Sequence, residues 1–205
     1  MARCSDARDR LLSSAAKLVH ERGYSAVSVS DICEAAGLKK GSFYHFFPSK
    51  RDLVLAVIDE FGEAQAKKMA AALDPALTAR EQLRRMFALT GIGLAESQRC
   101  DGMVRGCPLG NLVLEMADRD EQIRQKLAQV MAGFEAAVAQ VLERGVKRGE
   151  LELSDPPRVA RAVVAYFEGA MMLAKTSNDA SVFEQLAPAA LAIVEGASQQ
   201  WAATV

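Results

Sequence analysis

Three breaks dominate the first fifty residues. Gly23 stops a helix that runs from about Ser5 to Arg22, with Leu11, Leu12, Ala15, Leu18 and Val19 at helical spacing. Gly37 stops a second, from about Val29 to Ala36, for which Ser28 is a good N-cap and Asp31 the acidic member of a capping box. Pro48 disfavours helix at the residue before it, so a third short helix spans about Lys40 to Phe46. Helix, glycine turn, short helix is the layout of a helix-turn-helix, whose second helix lies in the DNA major groove while the first crosses the backbone.

The rest of the chain keeps the helical period, with no run of strict alternation. Further helices are expected from about Lys50 to Leu73, Ala79 to Glu96, Pro108 onward, Asp120 to Arg148, Pro156 to Lys175 and Ser181 to Gln200. The segment "SQRCDGMVRGCPLGN" reads as a break, and Asp155 with Pro156 as a helix start. The expected fold class is all-α: about nine helices, with a helix-turn-helix domain at 1–49 and a second helical domain at 50–205.

Net charge is −1, which by itself argues against a nucleic-acid binder. Its distribution does not. Residues 1–52 hold 9 Lys+Arg against 6 Asp+Glu, and the remainder holds 16 against 20, so a basic island sits on an acidic body. The N-terminus has no long apolar run, and no segment is long enough to span a bilayer, so a cytoplasmic location and no membrane partner are expected. Cys4, Cys33, Cys100 and Cys107 lack zinc or redox spacing, and structural disulfides are not expected. The only histidines, His20 and His45, lie in the N-terminal region, far in sequence from Cys107. No phosphate-cradling glycine loop or metal cluster is present, so neither enzyme activity, metal nor cofactor is expected.

In "GLKKGSFYHFFPSK", Ile32, Ala36, Leu38, Phe43 and Phe47 are spaced to face the first helix. That leaves Lys39, Lys40, Ser42, Tyr44 and His45 outward, the side-chain types that contact phosphates and base edges. Gly41 lets backbone approach the duplex, and Lys50 at the next helix start is in reach of a phosphate. Taken singly, each residue also fits a solvated face with a structural aromatic cluster.

The whole string "RGYSAVSVSDICEAAGLKKGSFYHFFPSKRDLVLAVI" resembles the N-terminal region of TetR-family transcriptional regulators. The resemblance rests on Gly23, Tyr24, Ser28, Val29, Asp31, Ile32, Ala36, Gly37, Lys40, Gly41, Ser42, Phe43, Tyr44, Phe47, Ser49, Lys50 and Leu53. Cys33 stands where alanine is usual, Lys39 where serine or threonine is common, and Phe46 where histidine or tyrosine is frequent. It implies a homodimer on a near-palindromic double-stranded operator, with DNA contacts from Ser28, Lys39, Lys40, Gly41, Ser42, Tyr44, His45 and Lys50. It also implies a C-terminal domain that binds a small-molecule effector and releases the DNA. An effector-independent helix-turn-helix protein or an activator is the alternative.

The same resemblance implies a dimer interface built from the last two long helices. Both carry more apolar surface than one face needs. Val163, Phe167, Ala170, Ala190 and Val194 are the expected contacts, with Gly169 and Ala189 allowing close approach. For the effector pocket Met86, Phe87, Met103, Phe134, Tyr166 and Met171 are candidates, each equally at home in a core. Cys107 precedes an expected helix start, with Arg105 nearby; both features lower a thiol pKa and favour the reactive thiolate. "RGCPLGNL" resembles a segment in a TetR subgroup that senses electrophiles and unsaturated compounds. Cys107 is therefore either a reactive sensor, with Cys100 as resolving thiol, or a buried structural cysteine.

Overall fold

The computed structural model describes residues 2–200, with side chains described for residues 6–197. It shows nine α-helices among them: α1 (Ala2–Arg22), α2 (Val29–Ala35), α3 (Lys40–Phe46), α4 (Lys50–Ala72), α5 (Ala79–Asp101), α6 (Pro108–Met116), α7 (Glu121–Lys147), α8 (Pro156–Ser177) and α9 (Ser181–Gln200). No described helix is long and apolar enough to cross a membrane. The Cys4 side chain lies outside the described residues.

Local chemistry explains the ends. Ser28 and Asp31 close a reciprocal capping box on α2, and Thr78 with Glu81 does the same on α5. Asp155 caps α8, taking the Arg158 N–H at 3.0 Å, with proline in its first turn. One boundary differs from expectation. Helix α5 runs five residues past Glu96, to Asp101, because Ser97 to Cys100 are adequate helix formers and contain no stop signal. The stop is Gly102, at φ +73°, whose N–H closes on the Gln98 carbonyl at 2.8 Å. Cys100 therefore sits exposed in a last helical turn rather than in a loop.

The chain forms two compact units. The first comprises Met1–Ala64 and Pro108–Val130, the second Gln65–Cys107 and Met131–Val205. The chain passes between them within α4, within α7, and at the Cys107–Pro108 bond. In the first unit α1 packs on α2 and α3 around Leu11, Leu12, Ala15, Ile32, Ala36, Phe43 and Phe47, all buried, with Leu38 partly buried beside them. The residues expected to face the first helix do so.

In the second unit α8 and α9 form a hairpin with α5 packed on α9. At its centre the Phe87 ring stacks on Phe183 (centroids 5.3 Å, interplanar 20°) and meets Phe167 edge-on at 5.1 Å. The start of α5 is docked on the end of α7. Buried Gln82 donates to the Leu77 carbonyl (2.8 Å) and accepts from Arg144 (3.2 Å), while Glu150 takes the Ala79 N–H at 2.7 Å.

Gly145 makes that docking possible: a Cβ there would sit 2.8 Å from the Cβ of Ala79 and 2.8 Å from a methyl of Leu151. Alanine would gain about 1 kcal/mol of helix propensity, but overpacking against a backbone-fixed methyl costs about 1–3 kcal/mol. Gly145→Ala is therefore expected to lower stability in urea denaturation despite the better helix former. A variant as stable as the parent would show that α5 and α7 are not in close contact at this point.

Candidate nucleic-acid interface and thiol site

Helix α3 presents two faces. Phe43 and Phe47 are buried beneath it, and Phe46 is half-buried against the same core. Lys39, Lys40, Gly41, Tyr44 and His45 are exposed, and Ser42 is half-buried. Tyr44 leaves 57% of its surface in solvent, a large exposed aromatic whose ring meets Phe43 in a T-shaped contact at 5.1 Å. Nothing lies within 4 Å of where a Gly41 Cβ would be, so packing inside the protomer does not require glycine there.

Two of the expected contact residues have structural employment. The Ser28 hydroxyl accepts from the Asp31 N–H at 3.1 Å and donates to Asp31 Oδ2 at 2.6 Å; that donation and one from the Ser28 N–H at 2.7 Å hold the Asp31 carboxyl below its usual pKa. The Lys50 ammonium donates to the carbonyls of Tyr24 and Val27, each at 2.8 Å, and lies 3.9 Å from the centre of the Tyr24 ring. Burial pushes its pKa down. Lys50 thus binds the α1–α2 loop from the start of α4.

Cys107 is half-buried against the second unit's core. Its thiol is within hydrogen-bonding reach of the Glu168 carboxyl in α8. Burial raises the Glu168 pKa, and the bond from Cys107 offsets part of that rise. Arg105, expected to favour the thiolate, forms an ion pair with Asp101 at 3.6 Å. The loop before the thiol is held by the far end of α8: Asn178 accepts from the Val104 N–H at 2.7 Å and donates to the Gly102 carbonyl at 3.0 Å. Gln98 donates to the Asn178 carbonyl and accepts from the Ala180 N–H.

Of the other effector candidates, Met86, Phe87 and Met171 are buried, and Phe134 is half-buried with its edge on Phe167 at 5.5 Å. The half-buried Tyr166 donates its hydroxyl to the Leu186 carbonyl at 2.7 Å, and Met103 is exposed. The expected partner contacts need correction. Val163, Phe167, Ala170, Ala190 and Val194 are each at most 2% exposed in the protomer by itself. Those side chains are used in the chain's own core, and a second copy would have to meet other residues.

Sequence reasoning passed over two acids. Glu168 stood visible as a lone charge in "AYFEGAMM". Glu115 had no visible signal, because it binds backbone N–H groups about ninety residues away.

Comparison with known proteins supplies the family. Residues 11–57 match the model for bacterial regulatory proteins of the tetR family, and residues 79–190 match the tetracyclin repressor-like C-terminal domain. The chain is 34% identical over 171 residues to the transcriptional regulator AcuR of Cereibacter sphaeroides, covering 82% of this chain and 76% of that one. It is 29% identical over 175 residues to the transcriptional repressor NemR of Escherichia coli, covering 84% and 86%. The crystal structure of E. coli NemR in its reduced form superposes with a TM-score of 0.83 at 26% identity, covering 92% of this chain and 97% of that one. A regulator from Chloroflexus aurantiacus superposes at 0.82 with 28% identity, covering 98% of each. The chain belongs to the TetR family, whose members are DNA-binding helix-turn-helix transcriptional regulators and not enzymes.

Proposed function

We propose that this regulator is a homodimeric repressor, released from a near-palindromic operator when an electrophile adds to Cys107. The observation that carries the reading is the pairing of the half-buried Cys107 thiol with the Glu168 carboxyl, at the residue immediately before α6. A carboxylate whose pKa is raised is a better proton acceptor than an ordinary one. With an α,β-unsaturated carbonyl compound, the thiol proton passes to Glu168 as sulfur bonds to the β-carbon. The displaced π pair forms an enolate, and Glu168 returns the proton to the α-carbon. NemR and the 28%-identical DhaR of Mycobacterium sp. are both named as repressors, and the solved NemR is described as a reduced form, which supports repression and a redox-distinguishable state.

For DNA, Lys39 and Lys40 take phosphates, and Ser42, Tyr44 and His45 read base edges or pack on sugars. The open space over Gly41 admits the duplex close to the α3 backbone. Ser28 and Lys50 fix the loop and the start of α2 on which that surface stands. In a dimer the two α3 helices would lie roughly 34–36 Å apart, or a multiple of it. For the dimer, the outer faces of α8 and α9 offer Gly169 and Gly196, neither with an atom within 4 Å of a built Cβ. A helix-interior glycine costs about 1 kcal/mol relative to alanine, and nothing in the protomer explains that cost. Met172 and Leu173, each about half exposed, lie on the same helix as Gly169. Close approach of a second copy accounts for all four.

Three measurements test this. In fluorescence anisotropy with DNA from the gene's own upstream region, N-ethylmaleimide should weaken binding by about 5- to 150-fold. Cys107→Ser should bind equally well and ignore the reagent, and an unreactive apolar compound should do nothing. Release of the serine variant by the maleimide would rule out Cys107 as the sensor.

Lys40→Ala should weaken binding to operator and random DNA alike and reduce the salt slope by about one per subunit. A loss confined to the operator would reassign Lys40 to base reading.

Burial holds the Glu168 pKa above its ordinary value of 4.5. The folded state then binds that proton more tightly than the unfolded one, so stability falls as pH rises from 4.5 through the raised folded value. Glu168→Gln removes this penalty. Its Tm relative to wild type should rise over that window and level off above it, and Cys107 alkylation should slow. A Tm difference that stays constant with pH would show that the fold does not raise the Glu168 pKa.

A further inference from the structure

The loop between α1 and α2 is held by opposite charges. Gly23, at φ +85°, caps α1 by donating to the Val19 carbonyl at 2.9 Å, and its left-handed backbone turns the next two N–H groups to one side. Successive N–H groups after such a residue form a concavity that binds anions. Here the occupant is Glu115, from the last turn of α6. Its Oε2 accepts from the Tyr24 N–H at 2.7 Å, and its Oε1 from the Ser25 N–H at 2.7 Å. The carbonyl of Tyr24 meanwhile accepts from the Lys50 ammonium at 2.8 Å. One residue's backbone therefore has an anion on its N–H and a cation on its carbonyl.

The fit is close. A Cβ on Gly23 would meet Glu115 Oε2 at 2.9 Å, so the carboxylate lies directly against the glycine. Burial alone would raise the Glu115 pKa, but the bonds from Ser25 and Tyr24 outweigh it and the pKa is lowered. The acid is ionised at neutral pH. Lys50 and Arg119 are the charged groups with an electrostatic effect on this carboxylate or felt by it.

We propose that Glu115 is a positioning residue for DNA recognition: through it α6 fixes the α1–α2 loop, and so the seating of α2 and α3, for operator binding. The loop ends at Ser28, the cap of α2, which leads through one turn to α3. A negative group has no attraction for phosphate, so its effect on DNA binding has to come through the loop. The inference rests on the DNA-binding role of the family and not on Cys107.

The test compares wild type with Glu115→Ala and Glu115→Gln by anisotropy, on operator and on random DNA, across a salt series. Removing the carboxylate should lower operator affinity about tenfold or more. Random-DNA affinity and salt slope should stay unchanged, because no phosphate contact is lost. Glutamine, with one oxygen for two donors, should fall between. A purely structural role would instead give a loss that disappears at low temperature, where the variant is fully folded, and that outcome overturns the proposal. So does operator affinity within about twofold of wild type in the folded variants. Amide exchange in the wild-type protein needs no variant to fold: the Tyr24 and Ser25 N–H groups should be protected, and exchange at the rate of free amides would equally overturn it.

Discussion

The helix-turn-helix rests on two helices of seven residues, and neither is long enough to persist in water by itself. What holds them is burial of Ile32, Phe43 and Phe47 against Leu11, Leu12 and Ala15 of α1. Phe43 has none of its surface exposed and contacts both Tyr44 and Phe47 with its ring. The next residue, Tyr44, is largely in solvent. A helix this short can present an aromatic outward only because its neighbour is anchored inward. Removing a buried phenylalanine costs about 3–5 kcal/mol, a large share of what a small domain has in total. The exposed side chains inherit their positions from that core, and the Arg10 guanidinium, bonded to the Ala36 carbonyl, closes the end of α2 over it.

Hydrophobic burial sets the helices on one another but leaves their exact seating soft, and directional polar bonds supply the rest. The α1–α2 loop has its N–H groups on Glu115 and its carbonyls on Lys50. The two ligands come from different helices, α6 and α4, so the loop records the position of both. Helix α6 is also the covalent continuation of the Cys107 loop. Eight residues separate the thiol from Glu115, about two helical turns or roughly 12 Å of rise. Hydrogen bonds of 2.7 Å respond steeply to a shift of either ligand.

Much of this was legible in the letters because it depends on local chemistry. Ser28 and Asp31 announce a capped start, Gly37 a stop and Pro48 a limit, and α3 falls where they place it. The end of α5 was misjudged because polar residues were taken for a break, when the physical stop is the left-handed Gly102. The helices α8 and α9 are apolar on most sides, so their sequence could not say which face the protomer keeps. Val163 and Phe167 lie inward, whereas Gly169 and Gly196 stand open. Lys50 was read as a cation in reach of a phosphate; its ammonium lies on the carbonyls of Tyr24 and Val27, and backbone carbonyls have no letter of their own. The same blindness hid Glu115, both of whose partners are backbone N–H groups.

Glu168 shows what α8 is arranged to do. A half-buried acid in an otherwise apolar stretch of helix weakens the fold at neutral pH. Its carboxyl faces the Cys107 thiol, while Asn178, just past the end of α8, ties down the loop that carries that thiol. The residue after Glu168 is Gly169, on the surface proposed for the second copy. On the proposed function, the group that takes the thiol proton and the face offered to a second copy are neighbours on one helical turn. On that reading, ionisation of Glu168 acts on α8 beside the face where a second copy would press against it.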